Sequence, residues 1–284
     1  MRRTLRFVRE IVLLSYSVGL AALGRADRIP PVIREKVSVL SWSISQFVAW
    51  AAGQVPSGAI VLDAGAGQCQ YKHLWAHVHY VAVDFAQADA SWDYGQLDCL
   101  ARLEHLPFRE ESVDAILCTE VLEHVPLPLK VLREFNRILK TDGHLFLTVP
   151  MAWEQHQKPY DYYRYTSFGL RYLLDRSGFD ARRLEARGGW FWFLGDKFTM
   201  VGKLLFPRLA RKSWNMWLMF PVRAIVVAVT TYIVPYLFFY LDRFDTDKDL
   251  TIGYSCHAVK RVSTGTGSGD PGDRGAELVG SVGT

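Results

Sequence analysis

The sequence predicts an α/β fold: a parallel sheet with helices on both faces, interrupted before its last strand by a hydrophobic helical insert. Three observations carry that expectation. Short apolar runs near 60–63, 80–84, 113–118 and 144–149 have the pattern of strands buried on both faces. Helical stretches near 70–76 and from Leu127 to Leu139 alternate with them, as a doubly wound sheet requires. A block from 190 to 241 is rich in aromatics and poor in charge.

The first strand is the most informative. Ile60 to Gln68 reads IVLDAGAGQ. Ile60, Val61 and Leu62 form the apolar run, and Gly65 and Gly67 allow positive φ and close backbone approach where the strand turns. Asp63 stands at the strand end, where open α/β sheets place their ligands. The second strand, Tyr80-Val81-Ala82-Val83-Asp84, ends in an acid about 20 residues after the glycine turn, the spacing from which a carboxylate reaches ribose hydroxyls. Gln70 occupies the third glycine position of a dinucleotide fingerprint. This disfavours NAD and FAD, whose pyrophosphate needs close approach to a helix N-terminus.

Residues 1–55 read as an N-terminal helical segment broken at Pro30-Pro31, and 56–189 as the nucleotide-type core. Thr141-Asp142-Gly143 reads as a turn with Gly143 supplying positive φ. Within the 190–241 insert, Ala224 to Leu241 runs 18 residues without a charge, near the length of a membrane span. Thr251 to Val259 reads as the last strand, within a core segment 242–262. One full span would leave that strand on the wrong side of a bilayer. The insert therefore either dips in and returns, with bends at Pro221 and Pro235, or lies in the interface; the alternative is a buried helical cap or a dimer interface. The Gly/Ser-rich tail, 263–284, has the composition of a disordered segment.

Half of the 284 residues are hydrophobic and 22% are charged, which excludes a disordered chain. The net charge of +4 is unevenly spread, with Arg2, Arg3, Arg6 and Arg9 at the start and Lys197, Lys203, Arg208, Arg211 and Lys212 later. Basic clusters beside apolar stretches suit an anionic membrane surface better than a nucleic-acid groove. Cys69, Cys99, Cys118 and Cys256 show no CxxC or zinc spacing, as expected of reduced cytosolic thiols. Ile11 to Gly24 after Arg2, Arg3 and Arg6 has the outline of a signal peptide; a helix touching the membrane is the preferred reading.

The ordered pieces VLDAGAG, VAVD, LPF, SVDAILCTEVLEHV, VLREFNRILKTDGHLFLTVP and LRYLLDRSGF together resemble the class I S-adenosylmethionine-dependent methyltransferases, in particular the methyltransferase type 11 group. The resemblance covers about Ala59 to Asp180 and returns near Thr251 to Lys260. It implies a Rossmann-like seven-stranded sheet whose last strand joins antiparallel, and S-adenosyl-L-methionine as cofactor. That cofactor, found in the cytosol, argues against export and for a place on the inner face of the membrane. By resemblance, Asp63, Gly65 and Gly67 face the methionine part, Asp84 takes the ribose hydroxyls, and Thr119 lines the same cleft. Without the ligand, Asp63 is a turn cap and Asp84 a solvated strand end. The position where relatives carry an acid for adenine is Arg102 here; Asp98 is the nearest substitute, and main chain near Leu103 is the alternative contact.

Two constellations bear on chemistry. Glu120, Glu123 and His124 stand at i, i+3 and i+4, one face of a helix. The pattern resembles a divalent metal site of ubiquinone-type O-methyltransferases, but packing without a metal is the favoured reading. The loop His156 to Thr166, HQKPYDYYRYT, resembles a subgroup associated with bacterial glycan and envelope biosynthesis. His156 titrates near neutrality and is the candidate general base, with His124 beside the cleft. Asp161 either orients His156 or pairs with Arg164 in a structural lid, where Thr166 caps the next helix. The expected acceptor is a small molecule or a lipid-linked glycan at the membrane surface, with a prenylated quinone-like lipid or a non-catalytic scaffold as rivals. No nucleic-acid partner is expected, and the oligomeric state is left open.

Overall fold

The computed structural model describes residues 9–17, 20, 28–87, 91–205 and 220–262. The tail from Ser263 and the arginines at 2, 3 and 6 lie outside the described residues. Seven strands form one sheet: β1 (Ile60–Ala64), β2 (His79–Asp84), β3 (Cys99–Leu100), β4 (Val113–Thr119), β5 (Leu139–Pro150), β6 (Phe179–Ala186) and β7 (Gly253–Lys260). Their order is β3-β2-β1-β4-β5-β7-β6. The first five run parallel, whereas β7 is antiparallel to both β5 and β6. Ala186 at the end of β6 and Gly253 at the start of β7 therefore lie on the same edge as the ends of β1, β2 and β4.

Period-two alternation sends side chains to two covered faces. Val61, Ala115, Leu117 and Phe146 meet Ile44, Phe47, Val48 and Ala51 of α3 (Val39–Ala52), with Trp75 beside them. Leu62, Ile116, Leu145 and Leu147 meet α4 (Pro128–Ile138) and α5 (Ser167–Arg176) on the other face. Helix α4 starts at a proline, whose missing N–H costs nothing at a helix start, and buries Val131, Leu132, Phe135 and Ile138 as one stripe. Each of these fully buried apolar side chains stabilises the fold by about 1.5–3 kcal/mol.

Three local expectations change. The helix near 70–76 is a single 3-10 turn, Lys72–Trp75, because Cys69 takes a left-handed φ of 56° and β2 begins at His79. Positive φ near 141–143 falls on Asp142 (φ 60°). Gly143 serves close approach instead, since a Cβ there would sit 2.7 Å from the Lys140 carbonyl oxygen. The strand near 144–149 extends back to Leu139, with a register shift against β4 between Val113 and Ala115.

The N-terminal helix α1 (9–17) and α2 (Pro31–Val37) pack against the insert through Leu14, Ile29, Ile33, Val37, Tyr232 and Tyr236. Lys36 pairs with Glu10, which also accepts hydrogen bonds from Tyr236 (2.9 Å) and Tyr240. The insert comprises α6 (Trp190–Leu205) and α7 (Phe220–Ala228), which continues through a π turn (Val229–Ile233) into α8 (Val234–Leu241). Asp242 and Asp245 fasten its base, accepting from the backbone N–H groups of Gly189, Trp190 and Trp192 at the start of α6.

Away from the sheet edge where the strands end, His144 Nδ1 and His257 Nε2 lie 3.0 Å apart, with His257 stacked on Phe146. Burial pushes His257 down to about 4, aided by His144, Arg182 and Arg183, and burial also lowers His144. The unfolded chain therefore binds more protons below pH 6.5, and stability falls as pH drops from 6.5 toward 4. The thermal midpoint is expected to fall between pH 7 and pH 5, and less steeply in His257→Phe. An equal slope in the variant, measured by calorimetry, would remove His257 from the acid response.

Candidate active site

A cavity of about 660 Å³ opens at the ends of β1, β2 and β4, the edge where ligands meet α/β sheets. Asp63, Gly65, Gly67, Asp84, Leu103, Thr119, His124 and His156 all line it. Asp98 does not: its carboxylate accepts from the Ala82 N–H (2.8 Å) and its own N–H donates to the Ala82 carbonyl (2.9 Å). It ties the end of β2 to the segment before β3 and is not among the cavity's lining residues.

The glycine turn is shaped by close approach. Gly65 has φ 83°, and a Cβ there would sit 2.4 Å from Val121 Cγ2. A Cβ on Gly67 (φ 52°) would sit 3.0 Å from the Trp92 ring. Asp84 holds this turn, Oδ2 accepting from Gly67 N–H at 2.9 Å and Oδ1 from Ala86 N–H at 2.7 Å. Each carboxylate oxygen keeps a second acceptor site for a diol.

Asp63 is almost fully buried. Tyr80 donates to its Oδ2, while Oδ1 has no partner. Burial pushes Asp63 up to about 7; the Tyr80 hydrogen bond opposes this and the Asp84 charge adds to it. An orphaned buried oxygen at a cavity wall suits a cationic or donating ligand group. These residues fit S-adenosylmethionine: a donor for Asp63, a diol for Asp84, and a backbone cradle that a Cβ would fill.

Several lining residues were missed from sequence. Glu104, two positions before the LPF leucine, lines the cavity with a nearly buried side chain, 3.8 Å from Arg102 Nε. Arg102 itself stacks over Phe85, 4.8 Å from the ring centroid. An acid near LPF was the signal for Glu104. Trp92 and Phe85 carried no spacing that marked them.

Glu120, Glu123 and His124 do not share a helix face. Glu120 has φ 52°, and only Leu122–His124 form a 3-10 turn. Glu120 instead pairs at 2.7 Å with Arg187, a buried residue at the exit of β6. Glu123 is fully buried, neither carboxylate oxygen has a hydrogen-bond partner although Oε1 lies 3.6 Å from His124 Nε2, and burial followed by the Glu120 charge raises its pKa.

His124 and His156 meet, Nε2 to Nε2, at 3.1 Å. The Tyr160 carbonyl, 2.6 Å from His124 Nδ1, only accepts, so that nitrogen carries hydrogen. The Glu154 carbonyl, 3.1 Å from His156 Nδ1, imposes the same tautomer there. Each ring therefore turns its Nε2 to the other, with room for one proton between them. Burial first, then His156 and Arg164, lowers His124, against the opposing Tyr160 carbonyl and Asp161. Asp161 pairs with Arg164, the lid alternative, and contacts His156 through that residue's backbone. Arg164 grips it bidentately (2.6 and 2.9 Å) and holds it well below the usual carboxylate range, and Asp161 accepts the His156 backbone N–H at 2.9 Å. Thr166 caps α5, accepting from Gly169 N–H at 3.1 Å.

Residues 62–147 match a family model described as a methyltransferase domain. A tRNA (carboxymethyluridine(34)-5-O)-methyltransferase of Arabidopsis thaliana is 31% identical over 109 residues, covering 37% of this chain and 26% of that protein. A ubiquinone biosynthesis O-methyltransferase of Xanthomonas axonopodis pv. citri is 33% identical over 112 residues, covering 33% of this chain and 44% of that protein. The chain thus spans less than half the length of either relative. A crystal structure of a SAM-dependent methyltransferase from Archaeoglobus fulgidus superposes with a TM-score of 0.50 at 13% identity, covering 81% of this chain and 98% of that one; at that identity the likeness concerns the fold alone. Strand order, glycine turn and the match over residues 62–147 agree on a methyltransferase domain of the S-adenosylmethionine-dependent kind in that stretch of the chain.

Proposed function

We propose that this protein methylates a hydroxyl group of a lipid-linked glycan or similar envelope precursor at the inner membrane surface. The observation that carries the reading is the His124–His156 pair on the wall of the same cavity as Asp63, Asp84 and the glycine turn. S-adenosylmethionine, when bound, supplies an electrophilic methyl group. The chain's residues must then hold it, align the acceptor oxygen and take that oxygen's proton. Asp84 and the Gly65–Gly67 backbone hold the cofactor, and the unpartnered Asp63 oxygen takes a donor from its methionine part. An unprotonated Nε2 of the histidine pair accepts the hydroxyl proton. Tyr160 and Tyr162 line the cavity and are exposed beyond it, offering aromatic faces to a sugar or a prenyl chain.

The second reading is methylation of a prenylated quinone-like lipid, supported by the ubiquinone-named relative and by one cluster. One ligand atom each from Glu123, His124 and His156 lies within 4.8 Å of the others, and neither Glu123 oxygen is taken by a hydrogen bond. Those three donors fit a divalent ion, which would lower the pKa of an acceptor hydroxyl; Glu120 is withdrawn from the set by Arg187. The test is transfer of labelled methyl from S-adenosylmethionine to a bacterial lipid extract and to a prenylated catechol, each with and without chelator. Labelling of glycan-bearing lipid that persists under chelation is the expected result. Labelling of the catechol alone, lost on chelation, selects the second reading. A chain that binds no cofactor by calorimetry defeats both and leaves a scaffold.

A further inference from the structure

We propose that α1, α6 and α7–α8 form a docking face that lies in the plane of an anionic lipid surface, with the cofactor cleft turned toward it. The inference deepens the membrane reading above by assigning the surface, its orientation and its partner.

Helices α1, α6 and α7–α8 each carry exposed apolar side chains, among them Tyr16, Leu204, Ile225 and Leu237. Ala224–Phe244 contains an 18-residue window of mean hydropathy 2.0, of which only 22% is buried. A core helix of that composition would be mostly covered, and an exposed face of this kind marks an interaction site. Charge decides the partner. Residues 197–241 contain six Lys or Arg and no Asp or Glu, and residues 1–9 contain four Arg and no acid. Lys197 is paired with Glu154 and Asp196, and Arg9 is exposed on α1; the sequence's excess of cations beside this apolar face complements anionic headgroups, at about 1 kcal/mol per cation near the surface, whereas a second copy would bring the same excess.

Geometry decides the orientation. Lys197, midway along α6, pairs with Glu154 at 2.6 Å and lies 4.0 Å from the centroid of the Trp153 ring. Both residues belong to the loop that carries His156 into the cleft. Among the described residues, only 198–205 of α6 extend past this contact, about 12 Å of helix, against a hydrocarbon core of about 30 Å. That described length is too short to cross while that loop stays in water. The insert also leaves β6 and re-enters β7 at one sheet edge, the edge that holds the cavity. A face lying flat beside the cleft satisfies both constraints.

The test is co-sedimentation of the full chain with phosphatidylcholine vesicles, with or without about one-third phosphatidylglycerol. Binding at least about tenfold tighter to the anionic vesicles, weakened by salt, is expected. Ile225→Glu combined with Leu237→Glu should lower that binding at least about tenfold, leaving calorimetric affinity for S-adenosylhomocysteine within about twofold. A bimane probe on Ile225→Cys, in a Cys99→Ser background, should be quenched more by shallow than by deep doxyl lipids. Four results overturn the proposal: no vesicle binding by the parent, unchanged binding by the double variant, stronger deep quenching, or a parent dimer that the double variant converts to monomer. None of these measurements needs turnover, so a failed methyl-transfer assay and a failed docking test are separate outcomes.

Discussion

His156→Gln is expected to lower kcat by about 10²–10⁴-fold, the usual contribution of a positioned general base, with affinity for S-adenosylhomocysteine unchanged. Glutamine can still hydrogen-bond His124 across the 3.1 Å contact but cannot carry the acceptor's proton. The loop should keep its shape, because Asp161 and Arg164 grip each other and Arg164 donates to the Trp153 and Glu154 carbonyls. Single-turnover measurement in the lipid-extract assay separates chemistry from binding. A kcat within about threefold of the parent would remove His156 from the proton path. A fall shared equally by cofactor affinity would make the histidine a structural support.

Asp84→Ala is expected to weaken cofactor binding at least about 100-fold. Hydrogen bonds to a charged group contribute about 1.5–3 kcal/mol each, and about 1.4 kcal/mol is tenfold in affinity. The loss is compound. The variant gives up the ribose diol and also releases the N–H groups of Gly67 and Ala86 that shape the glycine turn. A further consequence separates the charge from the shape. The Asp84 charge helps raise Asp63 to about 7, so Asp63 in the variant should titrate lower. Calorimetric binding across pH 5–8 reads both effects. Affinity within about fivefold of the parent would show that Asp84 serves the turn and not the ligand.

What could be read in advance was local. The glycine turn, Asp63 and Asp84 are joined by short-range rules of strand, turn and spacing, and they stand together on one cavity wall. Asp98 was a counting inference from a family position, and the sheet edge claimed it instead through Ala82. The E-x-x-E-H spacing suggested a shared helix face. The chain breaks that face at Glu120 because Arg187, 67 positions away, draws its carboxylate to 2.7 Å. No local pattern announces such a pair. His124 and His156 were each marked by residue type, but their contact spans 32 positions and depends on where β5 delivers its loop. Glu104 stands two positions before Leu106, not four, so the family spacing alone does not point to it.

The placement of β7 carries a consequence for how the molecule is made. It is the last of the described strands in sequence, yet it sits between β5 and β6. Strand β6 has no other neighbour among the described strands. During synthesis, then, β6 emerges without a partner and β5 keeps an open edge while the whole apolar insert leaves the ribosome. The sheet closes only when residues 253–260 arrive. Until then the nascent protein shows an unpaired strand edge and an apolar insert together, the two features most prone to mispairing. On the proposed docking, a lipid surface that receives the insert early would shelter it through that interval and act as a first chaperone.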